Sequence, residues 1–169
     1  MGNQQERSIL SNDALGGLFV GEGSYGLYIV RQPKHVEVKP GFSLRMNDLE
    51  TMDLVGETFE FKGLPYYRST KLYANCATIQ VFGIKRMKKH LDVFLPHLFG
   101  RKLQSAGLVS QFVERRIGYT GRQCREYDEQ DISLIEQLRE INGPSVRRLS
   151  VEILRDYTLR VRRNKKSEL

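Results

Sequence analysis

The sequence predicts a single α+β domain of order αββαββα with additional C-terminal helices. Three observations carry this. Four short segments, residues 24–31, 42–47, 66–73 and 77–82, are rich in aromatic and β-branched residues or alternate apolar with polar ones, as half-buried strands do. Helix-like segments at residues 11–20, 49–59, 85–98, 103–116, 128–141 and 146–159 fill the spaces between and after them. A length of 169 residues fits one domain, and it is enough to bury a core without disulfides or structural metal. The domain is read as residues 1–169, with its core at about 10–155 and a basic tail at about 160–169.

Ser11 is the expected N-cap of the first helix. The first strand then sets Tyr25, Leu27 and Ile29 on one face and Ser24, Gly26, Tyr28 and Val30 on the other. Residues 32–41, with Pro33, Pro40 and Gly41, read as a turn-rich link. The second strand turns Phe42, Leu44 and Met46 inward, and the fourth turns Ile79 and Val81 inward. Gly100 breaks the helical pattern between residues 98 and 103, and Asn142-Gly143-Pro144 stops the next helix.

Composition narrows the partners. Lys and Arg number 27 against 20 Asp and Glu, a formal charge of +7, a surplus typical of chains that bind nucleic acid. Part of it lies in residues 160–166 (RVRRNKK), which read as a solvated or disordered arm. Cys76 and Cys124 form no CxxC pair, and His35, His90 and His97 form no HxH or HExxH spacing. A disulfide framework, a zinc ribbon and a zinc hydrolase are therefore not expected. No apolar run approaches the ~18 residues of a membrane span, and MGNQQERS has no apolar signal core. The expected setting is intracellular and reducing, in cytoplasm or an organelle matrix, with no membrane partner and no organic cofactor.

The most informative segment is Leu15-Gly16-Gly17-Leu18-Phe19-Val20-Gly21-Glu22-Gly23. Each glycine inside a helix costs roughly 1 kcal/mol relative to Ala. Ala14, Gly17 and Gly21, at i, i+3 and i+7, share a face small enough for another backbone to approach closely. The helix ends at Gly21-Glu22-Gly23, where free carbonyls and partial negative charge join a carboxylate. Together these make an oxygen-rich pocket for a hard cation such as Mg²⁺.

These residues resemble the motif of the LAGLIDADG homing endonucleases. Leu15, Gly17, Leu18 and Gly23 match it identically; Gly16, Phe19, Gly21 and Glu22 are similar; Val20 stands where an acid is usual. The likeness in layout covers roughly residues 10–155. It implies the homing-endonuclease fold, whose antiparallel sheet forms a DNA-binding saddle, and an intron-encoded, site-specific endonuclease. One motif per chain implies a homodimer with Ala14, Gly16, Gly17 and Gly21 at the seam. Such a dimer would read a long, nearly palindromic double-stranded site and cut both strands. Glu22 would bind Mg²⁺ with the Gly21 carbonyl; Mn²⁺ would substitute, and Ca²⁺ would allow binding without efficient cleavage.

The resemblance also implies a water-orienting polar residue, aligned with Asp48 or, one residue away, Asn47. It implies a basic residue at Arg101 or Lys102. Asp48 is equally suited to cap the second helix, and Arg101 and Lys102 to lie in a solvated loop. Strand alternation supplies the DNA-facing candidates Gly26, Tyr28, Val30, Gln32, Lys34 and His35, then Lys39, Ser43 and Arg45. The later strands add Tyr66, Arg68, Thr70, Thr78 and Gln80, and Arg147 and Arg148 read as phosphate contacts. The alternative readings are an RNA maturase or a non-cleaving DNA- or RNA-binding protein of the same fold. A ribosome-associated RNA binder is a third, against which the lack of an aromatic RNA-stacking pattern argues.

Overall fold

In a computed structural model, which describes residues 9–33, 35–71, 75–119, 126–143 and 150–167, the chain folds in the predicted order. The elements are α1 (Asn12–Glu22), β1 (Gly23–Arg31), β2 (Val36–Met46), α2 (Leu49–Phe61), β3 (Tyr67–Lys71), β4 (Cys76–Phe82), α3 (Ile84–Phe94), α4 (Gly100–Arg116), α5 (Glu129–Asn142) and α6 (Glu152–Ser167). A single 3₁₀ turn, Leu95–His97, joins α3 to α4. The strands form one antiparallel sheet of order β1-β2-β4-β3.

Register aligns the apolar sides of the strands. Tyr25 pairs with Phe42 and Ile29 with Val38 across β1 and β2. Phe42 then pairs with Val81 and Leu44 with Ile79 across β2 and β4. All of these are buried, with Phe19 and Leu15 of α1, Met52, Val55 and Phe59 of α2, and Met87, Leu91 and Phe94 of α3. The sheet therefore has one dry face under the helices and one open face.

Two expectations need correction. Residues 32–41 are not a long link: β2 begins at Val36, and the connection from Arg31 is a short hairpin loop. Pro40 sits inside the strand opposite Leu27 without breaking it. Its carbonyl accepts from the Gly83 amide (3.0 Å), so Pro40 directs its polar groups away from β1 and its missing N–H removes no β1–β2 bond. The last helix begins at Glu152, not at residue 146, and its backbone stays helical through Ser167, so the basic tail is not an unstructured arm. Buried Leu154 and Thr158 hold that helix to the domain, and Arg155 pairs with Glu136 of α5 at 3.3 Å. Lys34, Arg147 and Arg148 lie outside the described residues. No helix among the described residues is long and apolar enough to cross a membrane.

One polar side chain lies at the centre of the aromatic core. His90 is 1% exposed, stacked on Phe42 (centroids 4.5 Å apart) and close to Phe19, Phe59 and Phe94. Its Nε2 lies 3.1 Å from the Tyr25 hydroxyl. Burial pushes the imidazole down to about 3, so the fold holds it neutral. The unfolded chain takes up a proton below about 6.5, where the folded protein does not. Stability is therefore fully present above that pH and is lost as pH falls toward 3, at about 1.4 kcal/mol per pH unit. Denaturant titrations from about pH 6.5 to 5 should show this slope in the parent protein. They should show little of it in the double variant His90→Leu/Tyr25→Phe, which removes the imidazole without stranding the hydroxyl. A flat parent profile over that window would contradict a buried neutral His90.

Candidate functional site

The Ser11 hydroxyl caps α1 by accepting from the Ala14 amide (3.1 Å), and the helix runs two residues past Val20 to Glu22. Its buried side is Leu15, Gly16 and Phe19. Gly16 meets the 3₁₀ turn so closely that a Cβ there would lie 2.4 Å from the His97 carbonyl oxygen. The Asp13 carboxylate and His97 Nδ1, 2.6 Å apart, tie the same contact at the surface. Gly16 is therefore packed inside its own chain and is withdrawn from the expected dimer seam. Ala14, Gly17 and Gly21 face outward, and a Cβ at Gly17 or Gly21 would meet nothing within 4 Å.

Glu22 is exposed at the end of α1 and lines an open depression with Arg45, Met46 and Asn47. From α4, Lys102 Nζ donates to the carbonyl of Gly23, the residue after Glu22. Burial pushes the Lys102 ammonium below its usual range; the Glu22 carboxylate acts in the opposite direction, and Arg101 adds to the lowering. Arg101 itself is exposed. Of the two basic candidates, the fold brings Lys102 to Glu22.

The two polar candidates separate as well. Asp48 caps α2: its Oδ1 accepts from the Thr51 amide (3.0 Å) and its Oδ2 from the Thr51 hydroxyl (2.6 Å). Those bonds hold its carboxyl below the usual range. Asn47 shares the depression with Glu22, and Asp48 does not line it. Among the described residues no three His, Cys, Asp or Glu side chains gather as a metal cage. The carboxylate of Glu22 and the carbonyl of Gly21 are hard oxygen donors at an open helix end, a set that suits Mg²⁺ retaining several waters.

The open face of the sheet follows from the same register. Ser24 pairs with Ser43, Gly26 with Gly41 and Tyr28 with Lys39; Ser43 pairs with Gln80 and Arg45 with Thr78. The expected residues of strands 1, 2 and 4, with Val30 beside Glu37, all lie on this face. Lys39 pairs with Glu37 at 2.8 Å, and Gln32 lies 3.4 Å from the same carboxylate. His35 closes the hairpin loop, its carbonyl accepting from the Gln32 amide (2.8 Å).

Strand 3 faces the other way from the sequence expectation. Arg68 pairs with Ile79 and Thr70 with Ala77, so both lie on the helix side, and Tyr66 packs there too. Arg68 is ion-paired to Asp53 of α2, and the Tyr66 hydroxyl donates to Glu60 (2.8 Å) while its ring meets Phe59. Tyr67, opposite Gln80, and Ser69, opposite Thr78, occupy the open face instead. Residues 66–71 carry no apolar alternation, so only pairing with Ile79 could show which way they point. Phe82, opposite Gly41, also lies on the open face, beyond the strand 4 residues the sequence pointed to.

No family model matches the sequence, and no curated protein does. Among solved structures the chain is similar to the homing endonuclease I-CvuI in complex with its target (TM-score 0.68, 16% identity, 88% of this chain and 92% of that one). It is similar to the group I intron-encoded homing endonuclease I-CeuI complexed with DNA (TM-score 0.67, 15% identity, 91% and 79%). It is also similar to the LAGLIDADG homing endonuclease I-SmaMI bound to cleaved DNA (TM-score 0.60, 20% identity, 86% and 52%). The chain thus has the α+β fold of the LAGLIDADG homing endonucleases, spanning nearly all of the first structure and about half of the third.

The packing of Gly16 has a direct consequence for stability. Gly16→Ala should lower unfolding free energy by about 1–3 kcal/mol, because the turn at His97 must move. Gly107→Ala, in α4 where a Cβ meets nothing within 4 Å, should instead raise it by roughly 1 kcal/mol. Denaturant unfolding of the two variants checks this, and equal effects would contradict the contact.

Proposed function

We propose that a protein with this fold and this site is a site-specific, divalent-metal-dependent DNA endonuclease acting as a homodimer. One observation carries the reading. At the end of α1, Glu22 meets Lys102, Arg45 and Asn47 beside an open sheet face lined with hydrogen-bonding side chains. The fold neighbours bound to DNA and the +7 charge support a polyanionic substrate.

Phosphodiester hydrolysis needs a positioned water, a held phosphate and compensation of developing negative charge. Glu22 and the Gly21 carbonyl would hold Mg²⁺, which supplies an activated water and polarises the phosphoryl oxygen when bound. Asn47 orients the attacking water through its side-chain amide. Arg45 holds the scissile phosphate, and Lys102, fixed against Gly23, places positive charge where the phosphate becomes more negative. Gly26, Tyr28, Lys39, Ser43 and Gln80, with Tyr67 and Ser69 in place of the strand 3 residues first expected, face the groove.

The uncovered Ala14, Gly17 and Gly21 stripe supports pairing of α1 with its copy in a second chain, which would bring two Glu22 sites together. That I-SmaMI is about twice as long as the region matched fits a single-copy chain that supplies half of the assembly.

Glu22→Gln should abolish cutting while leaving DNA binding largely intact. Replacing Mg²⁺ by Ca²⁺ should likewise preserve binding and suppress cutting, while Mn²⁺ should support it. Asn47→Ala should slow cleavage about 100-fold. Asp48→Ala should leave the rate nearly unchanged and cost about 1 kcal/mol of stability through the lost cap. Cleavage assays, binding titrations and unfolding curves separate these outcomes. A Glu22→Gln protein that cuts at the parental rate would overturn the assignment, and a parent that binds but never cuts would favour a non-cleaving binder.

Assembly has its own test. The parent should sediment as a dimer, and Gly17→Leu, with no room for a bulky side chain at a close helix seam, should sediment as a folded monomer. A parent that is monomeric with and without DNA would remove the dimer from the proposal.

A further inference from the structure

We propose that Phe82 and Tyr28 form an apolar shelf on the open sheet face that selects thymine, through its 5-methyl group, at one position in each half of the DNA site. The proposal rests on the reading of that face as a DNA-binding surface.

Gly26 of β1 pairs with Gly41 of β2, and Gly41 pairs with Phe82 of β4. The two glycines leave the middle of the face without side chains, and two rings lie down over them. A Cβ on Gly26 would fall 2.6 Å from the Tyr28 ring, and one on Gly41 would fall 2.4 Å from the Phe82 ring and 3.1 Å from that of Tyr28. The rings meet edge to face, with centroids 5.7 Å apart and planes at 75°. Both are only partly exposed, so each is held in place and loses little freedom when something lands on it.

The surroundings are polar. Ser24 and Ser43 flank the glycines, Gln80 precedes Phe82 on the same face, and Lys39 stands opposite Tyr28. Arg45 gives one flank the charge that a phosphate backbone calls for, while Lys39 on the other is paired with Glu37 (2.8 Å). Phe82 offers neither donor nor acceptor. In the major groove, the apolar group on a base edge is the 5-methyl of thymine, and apolar side chains are the groups that read it. A hydrogen-bonding base edge set on the Phe82 ring would lose its water without gaining a partner there.

Position follows from strand geometry. At ~3.3 Å per strand residue, Gly26 and Tyr28 lie roughly 13–20 Å along β1 from Glu22. With β1 laid along the DNA axis, Glu22 at the centre of the site and ~3.4 Å per base pair, the selected thymine falls about four to six base pairs from the centre.

The test starts with the full-length protein in Ca²⁺ selecting duplexes from randomised DNA. In a selected duplex each thymine is then replaced singly by deoxyuridine, which lacks only the methyl group, and binding is titrated. One symmetric pair of thymines, about four to six base pairs from the centre, should show about fourfold weaker binding on losing the methyl, the worth of one buried carbon. Phe82→Ala should erase that sensitivity while other thymines keep theirs, and Phe82→Leu should retain it. Phe82→Gln, which adds hydrogen-bonding groups to the shelf, should shift the preferred base there away from thymine. Circular dichroism and melting check that the variants fold, and if Phe82→Ala does not, the contrast between the Leu and Gln variants decides. A selected duplex indifferent to the methyl at that distance, or a sensitivity that survives Phe82→Ala or Phe82→Gln, overturns the shelf alone. Failure to select any duplex overturns the DNA-binding reading and the shelf with it.

Discussion

Where Gly16 meets the backbone of His97, α1 approaches the turn between α3 and α4 more closely than any side chain would allow. That contact sets the rotation of the helix. With Leu15, Gly16 and Phe19 inward, residues three and four apart on the other side, Ala14, Gly17 and Gly21, must face out. It also sets the distance between α1 and the start of α4, and so lets Lys102 reach the Gly23 carbonyl beside Glu22. A side chain at position 16 would push α1 away and separate the carboxylate from the ammonium. The glycine weakens the helix by itself, and the packing it allows offsets that loss. No such offset exists among the described residues for Gly17 and Gly21, where a Cβ would meet nothing within 4 Å.

The sheet depends on a second constraint, a single register that decides both of its faces. Pairing Phe42 with Tyr25 and Val81 buries one set of residues, and strand alternation then commits their neighbours to the open side. The inner face is aromatic and dry under α1, α2 and α3, so its one imidazole is forced to stay neutral. Toward β3 the inner face becomes polar: Arg68 and Tyr66 meet Asp53 and Glu60 of α2 instead of apolar side chains. A basic residue on the strand is thereby turned into a structural partner of a helix.

The far end of the β1–β2 hairpin is held by the C-terminal helices. Asp131, fully buried at the start of α5, accepts from Arg115 Nε (3.0 Å) and Arg116 Nη1 (3.2 Å) at the end of α4, and it completes a capping box with Asp128. The Arg116 guanidinium lies 4.4 Å above the Tyr127 ring, and the Tyr127 hydroxyl accepts from the Val38 amide (2.8 Å). Removing a buried carboxylate shared by two guanidiniums is strongly destabilising, because it strips compensation from charge held out of water. The chain of contacts therefore fixes β2 relative to α4, the helix that also carries Lys102. At the edge of the sheet, Asn142 donates to the Tyr25 carbonyl (2.9 Å), satisfying a backbone group that β1 would otherwise leave open.

Element order was legible in the sequence because it depends on local chemistry. Ser11 caps the helix it was expected to cap, and Tyr25, Leu27 and Ile29 alternate inward as written. Glu22 could be picked out because glycines on both sides of a carboxylate at a helix end are a local signature. Local signals failed wherever a side chain's role depended on a partner distant in sequence. Pro40 read as a break because its tolerance depends on which side of β2 its amide faces. Strand 3 had no apolar alternation, so its facing waited on Ile79. Asp48 and Asn47, adjacent in sequence, differ only in that one turns back to Thr51 and the other toward Glu22. Gly16 looked like its neighbour Gly17 until His97, 81 residues away by number (97 − 16), proved to occupy the space beside it. Sequence by itself determined the periodicity, the caps and the acid at the helix end, since these act over a turn or two of backbone. Tertiary structure decided facing, pairing and proximity, since these depend on contacts between residues that the chain brings together only by folding.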